Sequence, residues 1–186
     1  AEAKFFRAFY YFQLVQTFGG VPLDLGSGEL KFNSTPARSS VRNTVPEVYA
    51  AIFADLEDAI ANLPDQPRVV GGVTKNVARL VLAKADLTYG WWIENPKGIE
   101  TYPKCDRSGN PSDYFSKALA LCKEAIANPG PYGLCDTFRD VNLAQNDRNK
   151  EIMLYADHTE KSALYNAGDL GYGGGGAPDN FAGWMI

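Results

Sequence analysis

The side chains that could do chemistry in this chain are aromatic rings, carboxylates and amides. Ten Tyr, ten Phe and three Trp occur among its 186 residues. Several of these rings fall outside any helical stripe: Trp92 at a helix end, and Tyr102, Tyr172 and Trp184 in stretches rich in Asn, Asp and Gly. A flat ring can lie against the apolar face of a pyranose while neighbouring amides, carboxylates or Arg hydrogen-bond the hydroxyls. That combination orients a sugar in a largely preformed site. The competing expectation is that the same loop rings simply pack into small satellite clusters.

Motifs for covalent chemistry are absent. The chain has no His-Glu-x-x-His, no Gly-x-Ser-x-Gly and no Gly-x-x-x-x-Gly-Lys-Ser/Thr. Its single histidine, His158, has no clustered partners with which to hold zinc, and reads as a partly exposed polar residue. Gly171, Gly173 and Gly176 satisfy a dinucleotide-loop spacing only because Gly173 to Gly176 is an unbroken glycine run. That fingerprint needs a helix after it, and Pro178-Asp179-Asn180 is a poor helix interior. A glycosidase needs two carboxylates at a set separation. Asp55, Glu57 and Asp58 share one helix, but their positions read as its polar, solvated face. The oxygen-rich run Asp136, Asp140, Asn142, Asn146 and Asp147 lacks the ligand order and central glycine of a calcium loop, so it reads as solvated. No catalytic residue, metal ligand or cofactor is expected. Asn33-Ser34-Thr35 matches an N-glycosylation pattern, which means little without a eukaryotic secretory context. Among the cysteines, Cys122 falls on a helix stripe and is expected buried. For Cys105 and Cys135, in loop-like contexts, a disulfide and two free thiols both stay open.

Helices must position these groups. Residues 2–18 carry Phe5, Ala8, Phe9, Phe12 and Val15 (or Gln16) at three- and four-residue spacing, and Gly19-Gly20 stops the run. A polar loop follows through Asn43. Thr44-Val45-Pro46-Glu47 is a capping box, followed by the stripe Val48, Ile52, Leu56, Ile60 and Leu63 before Pro64. A third helix is expected from Thr74 to Trp92 with Val77, Leu80, Val81, the Lys84 stem, Leu87 and Trp91 inward. After a long loop from Glu94 to Asn110, a fourth spans about Ser112 to Ala127 with Phe115, Ala118, Leu119, Cys122 and Ile126 inward. Glu151 to Ala156 reads as a short strand or a helix start. The expected division is a helical-repeat region over 1–165 and a glycine-rich loop over 166–186 that leads into a further C-terminal part. Asp58-Ala59-Ile60-Ala61-Asn62 and Glu124-Ala125-Ile126-Ala127-Asn128 are nearly the same peptide 66 residues apart. That is about two periods of a ~34-residue tetratricopeptide unit, which favours a degenerate helical repeat over a closed bundle.

Composition narrows the partners. A net charge of −4 disfavours nucleic acid, whose phosphates need a basic surface. No apolar run reaches the ~20 residues of a membrane-spanning helix. The chain opens at Ala1 inside a helical pattern and stops at Trp184-Met185-Ile186, so both ends read as cuts in a longer protein.

The segment Ala3-Lys4-Phe5-Phe6-Arg7-Ala8-Phe9-Tyr10-Tyr11-Phe12-Gln13-Leu14-Val15 with Phe18-Gly19-Gly20-Val21-Pro22-Leu23 resembles the signature of SusD/RagB-like proteins. Further blocks follow in the family's order: Arg38 to Val41, Val48-Tyr49, Asp55 to Ile60, Thr74-Lys75, Leu82 to Ala85, Tyr114 to Ala118 and Asn149 to Ile152. The resemblance implies a mostly α fold of tetratricopeptide-like antiparallel helix pairs with long irregular loops. It further implies a lipid-anchored protein of the cell outer membrane, exposed at the surface of Bacteroidetes, that binds glycan without covalent chemistry. Such proteins deliver nutrient to a SusC-like TonB-dependent transporter, with helical faces toward the transporter and ligand residues in loops. Family members run to several hundred residues, and the lipid-bearing cysteine would lie before Ala1. The expected ligand-binding residues are therefore those of the tail, Trp184, Asn180, Asp179 and Tyr172, together with Trp92. The alternative is a helical-repeat scaffold for another protein, marked by a contiguous exposed apolar patch and no glycan affinity.

Overall fold

Capping and periodicity fix the helix bounds. A computed structural model describes residues 1–25, 41–95, 107–146 and 148–155. Four long helices, α1 (Glu2–Phe18), α2 (Val45–Asn62), α3 (Lys75–Glu94) and α4 (Pro111–Ala127), precede a short α5 (Phe138–Val141) and a 3-10 turn (Ala144–Asn146). No strand occurs among the described residues. At Gly19 the backbone turns to φ 69°, a left-handed angle glycine adopts without cost, while its N–H still donates to the Val15 carbonyl. The expected capping box of α2 is formed: Thr44 N–H donates to Glu47 Oε2 (2.7 Å), and Glu47 N–H donates to Thr44 Oγ1 (3.4 Å). Thr74 caps α3, and Asn110 caps α4 one residue before Pro111. The loop between α1 and α2 is closed at its base, where Asn43 N–H donates to the Val21 carbonyl and Leu23 N–H donates to Asn43 Oδ1.

Consecutive helices pack antiparallel. Three ion pairs run in opposite order along α1 and the segment containing α2: Arg7 to Asp55, Lys4 to Asp58 and Glu2 to Arg68. In the next pair, Asn76 Nδ2 donates to the Asn128 carbonyl at one end, and Trp91 meets Phe115 at the other. The helices form an open series in which α3 lies between α2 and α4 and touches the edge of α1. Twelve of the twenty α3 residues are buried, against only Ala118 in α4, so α3 is the helix the others close upon. The core joins Phe5, Ala8, Phe12 and Val15 of α1 to Val48, Tyr49, Ile52, Leu56 and Ala59 of α2, and to Val77, Ala78, Val81, Leu82, Ala85 and Tyr89 of α3. Burying each large apolar side chain contributes roughly 1.5–3 kcal/mol.

Four expectations are corrected. Asp55 is not on a solvated face: it is buried on the α1-facing side of α2 and takes the Arg7 guanidinium in a bidentate pair, both contacts 2.7 Å. Its partner lies 48 residues away, beyond what the spacing within α2 reports. Leu80, Leu87 and Trp91 of α3 point outward, because the residues packed between α2 and α4 are Val77, Ala78, Val81, Leu82, Ala85, Tyr89 and Ile93. On α4 the side turned to α3 carries Tyr114, Ala118 and Leu121, leaving Leu119, Cys122 and Ile126 exposed. Cys122 is thus an accessible thiol instead of a buried one. Residues 151–155 form neither strand nor helix; Glu151 ends a turn, and Tyr132 Oη donates to the Met153 carbonyl (3.3 Å).

The position of α3 between two helices strands one acid. Asp86 is 3% exposed. Burial pushes its carboxyl up to about 6, with Lys117 of α4 acting against the rise and Glu57 of α2 adding to it. A carboxyl whose folded pKa exceeds its unfolded value stabilises the fold when protonated, so its contribution is present below about pH 4 and is lost as pH rises through about 6. Asp86→Asn is expected to raise stability at pH 7 by roughly 1–3 kcal/mol in urea unfolding. The gain should shrink toward zero near pH 4. A gain that does not depend on pH would show that the charge of Asp86 is not what costs stability.

Candidate functional site

The C-terminal half of α3 gathers aromatic rings from α2, α3 and α4. Tyr49 of α2 lies 4.7 Å from Tyr89, Phe53 lies 5.7 Å from it, and Tyr114 of α4 meets it edge-on at 4.8 Å. Trp92, one turn further along α3, stacks on Tyr89 at 5.5 Å with only 11° between the planes. The Arg107 guanidinium lies 4.4 Å from the Trp92 ring centre and donates Nη1 to the carbonyls of Trp92 (3.1 Å) and Asn95 (3.2 Å). The ring is therefore half-buried and engaged by protein groups, with its Nε1–H buried and without a partner among the described residues. Burial raises the Tyr49 hydroxyl far above its ordinary range, so it stays a neutral phenol.

The two adjacent tryptophans exchange the roles their spacing predicts. Trp91, expected inside, is the exposed one and leans on Phe115 at 5.4 Å. Gly90 makes room for that arrangement, since a Cβ there would come within 2.5 Å of Phe115 Cε1. A helix step of 100° separates neighbours, so burying Tyr89 and Ile93 turns Trp91 outward.

Of the residues expected to hold sugar, only Trp92 lies in the described part. Tyr172, Asp179, Asn180 and Trp184 lie outside it, as do Tyr102, His158, Cys105, Asp147, the glycine run, the Asn33-Ser34-Thr35 pattern and the boundary between 165 and 166. No three His, Cys, Asp or Glu side chains converge among the described residues. Within the oxygen-rich stretch, amides are spent on the backbone: Asn146 Nδ2 donates to the Asp140 carbonyl and Asn149 Nδ2 to those of Val141 and Asn146.

Sequence reasoning missed a cleft of about 550 Å³ where the segment after α4 folds back over the α3–α4 end. Ile126, Tyr132, Leu134 and Met153 form its apolar lining, with Asn76 and Lys150 at the edge. Two of its polar groups are committed: Tyr132 Oη shares a hydrogen bond with Thr74 Oγ1 (3.0 Å), and Glu151 Oε1 accepts from the Cys135 N–H (2.6 Å). Such a lining suits apolar matter better than a polyhydroxylated ring. In the sequence, Pro129-Gly130-Pro131 marks only the end of a helix, and Tyr132 carries no pattern that points to a cleft.

Residues 1–87 match the SusD-like family described as starch-binding and associating with the outer membrane. No curated protein matches the chain. Among solved structures, a SusD superfamily protein from Bacteroides fragilis is 25% identical, with a TM-score of 0.63 over 89% of this chain and 31% of its own. A laminarin-binding SusD-like protein is 27% identical, with a TM-score of 0.60 over 82% of this chain and 29% of its own. A structure solved with xylogluco-oligosaccharide is 22% identical, with a TM-score of 0.66 over 89% and 30% respectively, which speaks for the fold alone. The chain thus spans less than a third of the length of these solved chains.

Trp92→Ala is expected to lower stability by roughly 1–3 kcal/mol, because it removes a stacked partner of Tyr89 and the seat of Arg107. Urea unfolding followed by Tyr and Trp fluorescence measures this. A variant as stable as the parent would show that the ring is not held by these contacts.

Proposed function

We propose that this chain, SusD-like in its first 87 residues and in its helical fold, belongs to a protein that binds glycan without catalysis at the outer membrane. The match of residues 1–87 to a starch-binding, outer-membrane-associating family is the observation that carries the reading. The laminarin-binding relative and the relative solved with xylogluco-oligosaccharide support it. On this reading Trp184 and Tyr172 stack on sugar faces while Asp179 and Asn180 hydrogen-bond hydroxyls. Trp92, already stacked on Tyr89, supplies at most an Nε1–H that has no partner among the described residues. Each stacked ring adds ~0.5–1.5 kcal/mol beyond its area burial, so a site of several rings binds while one ring binds feebly. Delivery of the glycan to a SusC-like TonB-dependent transporter, a lipid anchor and exposure at the cell surface complete the proposal.

A second reading, a scaffold for another protein, has one observation in its favour. Leu80, Leu87 and Trp91 of α3 and Leu119 and Ile126 of α4 are all large, apolar and exposed.

Affinity electrophoresis in gels containing starch, laminarin or xyloglucan tests the first reading on this chain and on the complete gene product. Retardation of the complete product by at least one polysaccharide is expected. Retardation of neither across a broad panel would overturn glycan binding and favour the scaffold. In whichever form is retarded, Trp184→Ala is expected to weaken binding roughly 2- to 12-fold without loss of helical circular dichroism. Unchanged affinity in the folded variant removes Trp184 from the site.

A further inference from the structure

Helices α1 and α3 both pack against α2 and barely touch each other, and a hollow of about 270 Å³ lies between them. Phe9, Phe12, Gln13 and Gln16 reach it from α1, at spacings of three and four residues that put them on one face. Val81, Lys84 and Thr88 reach it from α3 by the same rule, with Leu87 beside them. The floor is apolar. Phe12 and Val81 are buried, and Phe9 is half-buried and held by stacking on Phe5 at 6.1 Å.

The polar groups around it leave a defined remainder. Gln16 Nε2 donates to the Phe12 carbonyl (3.1 Å), which leaves its Oε1 to accept. Thr88 Oγ1 spends its proton on the Lys84 carbonyl (2.6 Å) and is likewise left as an acceptor. Of Gln13, the backbone carbonyl takes the Thr17 hydroxyl (2.9 Å), while the carboxamide hydrogen-bonds no protein group among the described residues. It offers a donor and an acceptor. No Asp or Glu lines the hollow. The Lys84 ammonium pairs with no carboxylate among the described residues, although the chain has a net charge of −4.

A cation without an anion, acceptors without donors and an apolar floor together specify a hydroxylated ring that carries a negative charge. We propose that the α1–α3 hollow binds one acidic sugar unit, a uronic acid whose carboxylate meets Lys84, whose hydroxyls meet Gln13, Gln16 and Thr88, and whose C–H face lies over Phe9. Such a site rests on the glycan-binding reading above and stands apart from Trp184 and Tyr172. Its volume falls at the small end for ligand pockets, which suits one ring and not a stretch of chain. The Lys84 ammonium is a compact point charge that asks for an anion within reach and imposes no fork geometry on it. Of the anionic groups that sugars carry, a carboxylate adds the least bulk to the ring, which decides for a uronic acid over a sulfate or phosphate ester.

Isothermal titration of the complete gene product with a galacturonic acid trimer and with its methyl ester, nearly the same shape without the charge, tests this. The acid is expected to bind roughly 3- to 10-fold more tightly than the ester. Lys84→Met keeps the apolar stem and is expected to abolish that difference, so that acid and ester bind alike. Gln13→Ala is expected to weaken both, roughly 2- to 12-fold. Lys84 and Gln13 are exposed, so both variants should keep the helical circular dichroism of the parent. Equal affinities for acid and ester in the parent, a difference that survives Lys84→Met, or unchanged affinities in Gln13→Ala would each overturn the proposal. So would hexanoate binding as tightly as the trimer, since the site would then take any carboxylate. Retardation by laminarin or xyloglucan without affinity for the trimer overturns this site and leaves the glycan reading standing. Affinity for no glycan at all overturns both.

Discussion

Everything in this structure follows from the demand that α3 bury two faces at once. It must meet α2 on one side and α4 on the other, and a 20-residue helix has little circumference left after that. Small residues make the double contact possible. Ala78, Ala83, Ala85 and Gly90 let neighbouring backbones close in, and Tyr89 fills the space between α2 and α4. Helix packing at 8–10 Å separations depends on such alternation of small and large side chains. The polar residues on the same faces have to be accommodated. Arg79 does so by donating to Asn76 and to Glu124 of α4, whereas Asp86 is left with opposing charges and a raised pKa.

A second constraint ties α1 to this assembly. The Arg7–Asp55 pair sits at the α1–α2 seam, with the core residues Phe5 and Ala8 beside it on α1 and Ile52 and Leu56 beside it on α2. Half-buried and bidentate, it fixes the rotation of one helix against the other more than it adds stability, since desolvation offsets much of the attraction. The outer pairs, Lys4–Asp58 and Glu2–Arg68, are exposed and contribute little. With that rotation set, Phe12 reaches Tyr49, and the aromatic cluster extends from α1 to Trp92.

The cluster and the exposed apolar residues of α3 and α4 are the two features a functional reading has to absorb. The cluster is an interior, so what residues 1–87 share with the SusD-like family is helical packing, and no sugar-binding surface lies in the cluster. The exposed apolar residues of α3 and α4 lie on the opposite side of those helices from that interior.

The sequence by itself determined the helices and their ends. Thr44, Thr74, Asn110 and Gly19 cap or stop the chain through local hydrogen bonds and backbone angles, which need no distant partner. It also determined the mostly α class, and the ordered blocks from Ala3 onward carried the family resemblance. Only the tertiary structure decided which apolar side of α3 and α4 is covered. Both helices have two, and a 3.6-residue period reports that an apolar stripe exists without saying what lies against it. For the same reason Trp91 and Trp92 exchanged places, Cys122 came to the surface and Asp55 went beneath Arg7. Each outcome depends on a residue far along the chain, brought near only when α3 closes between its two neighbours.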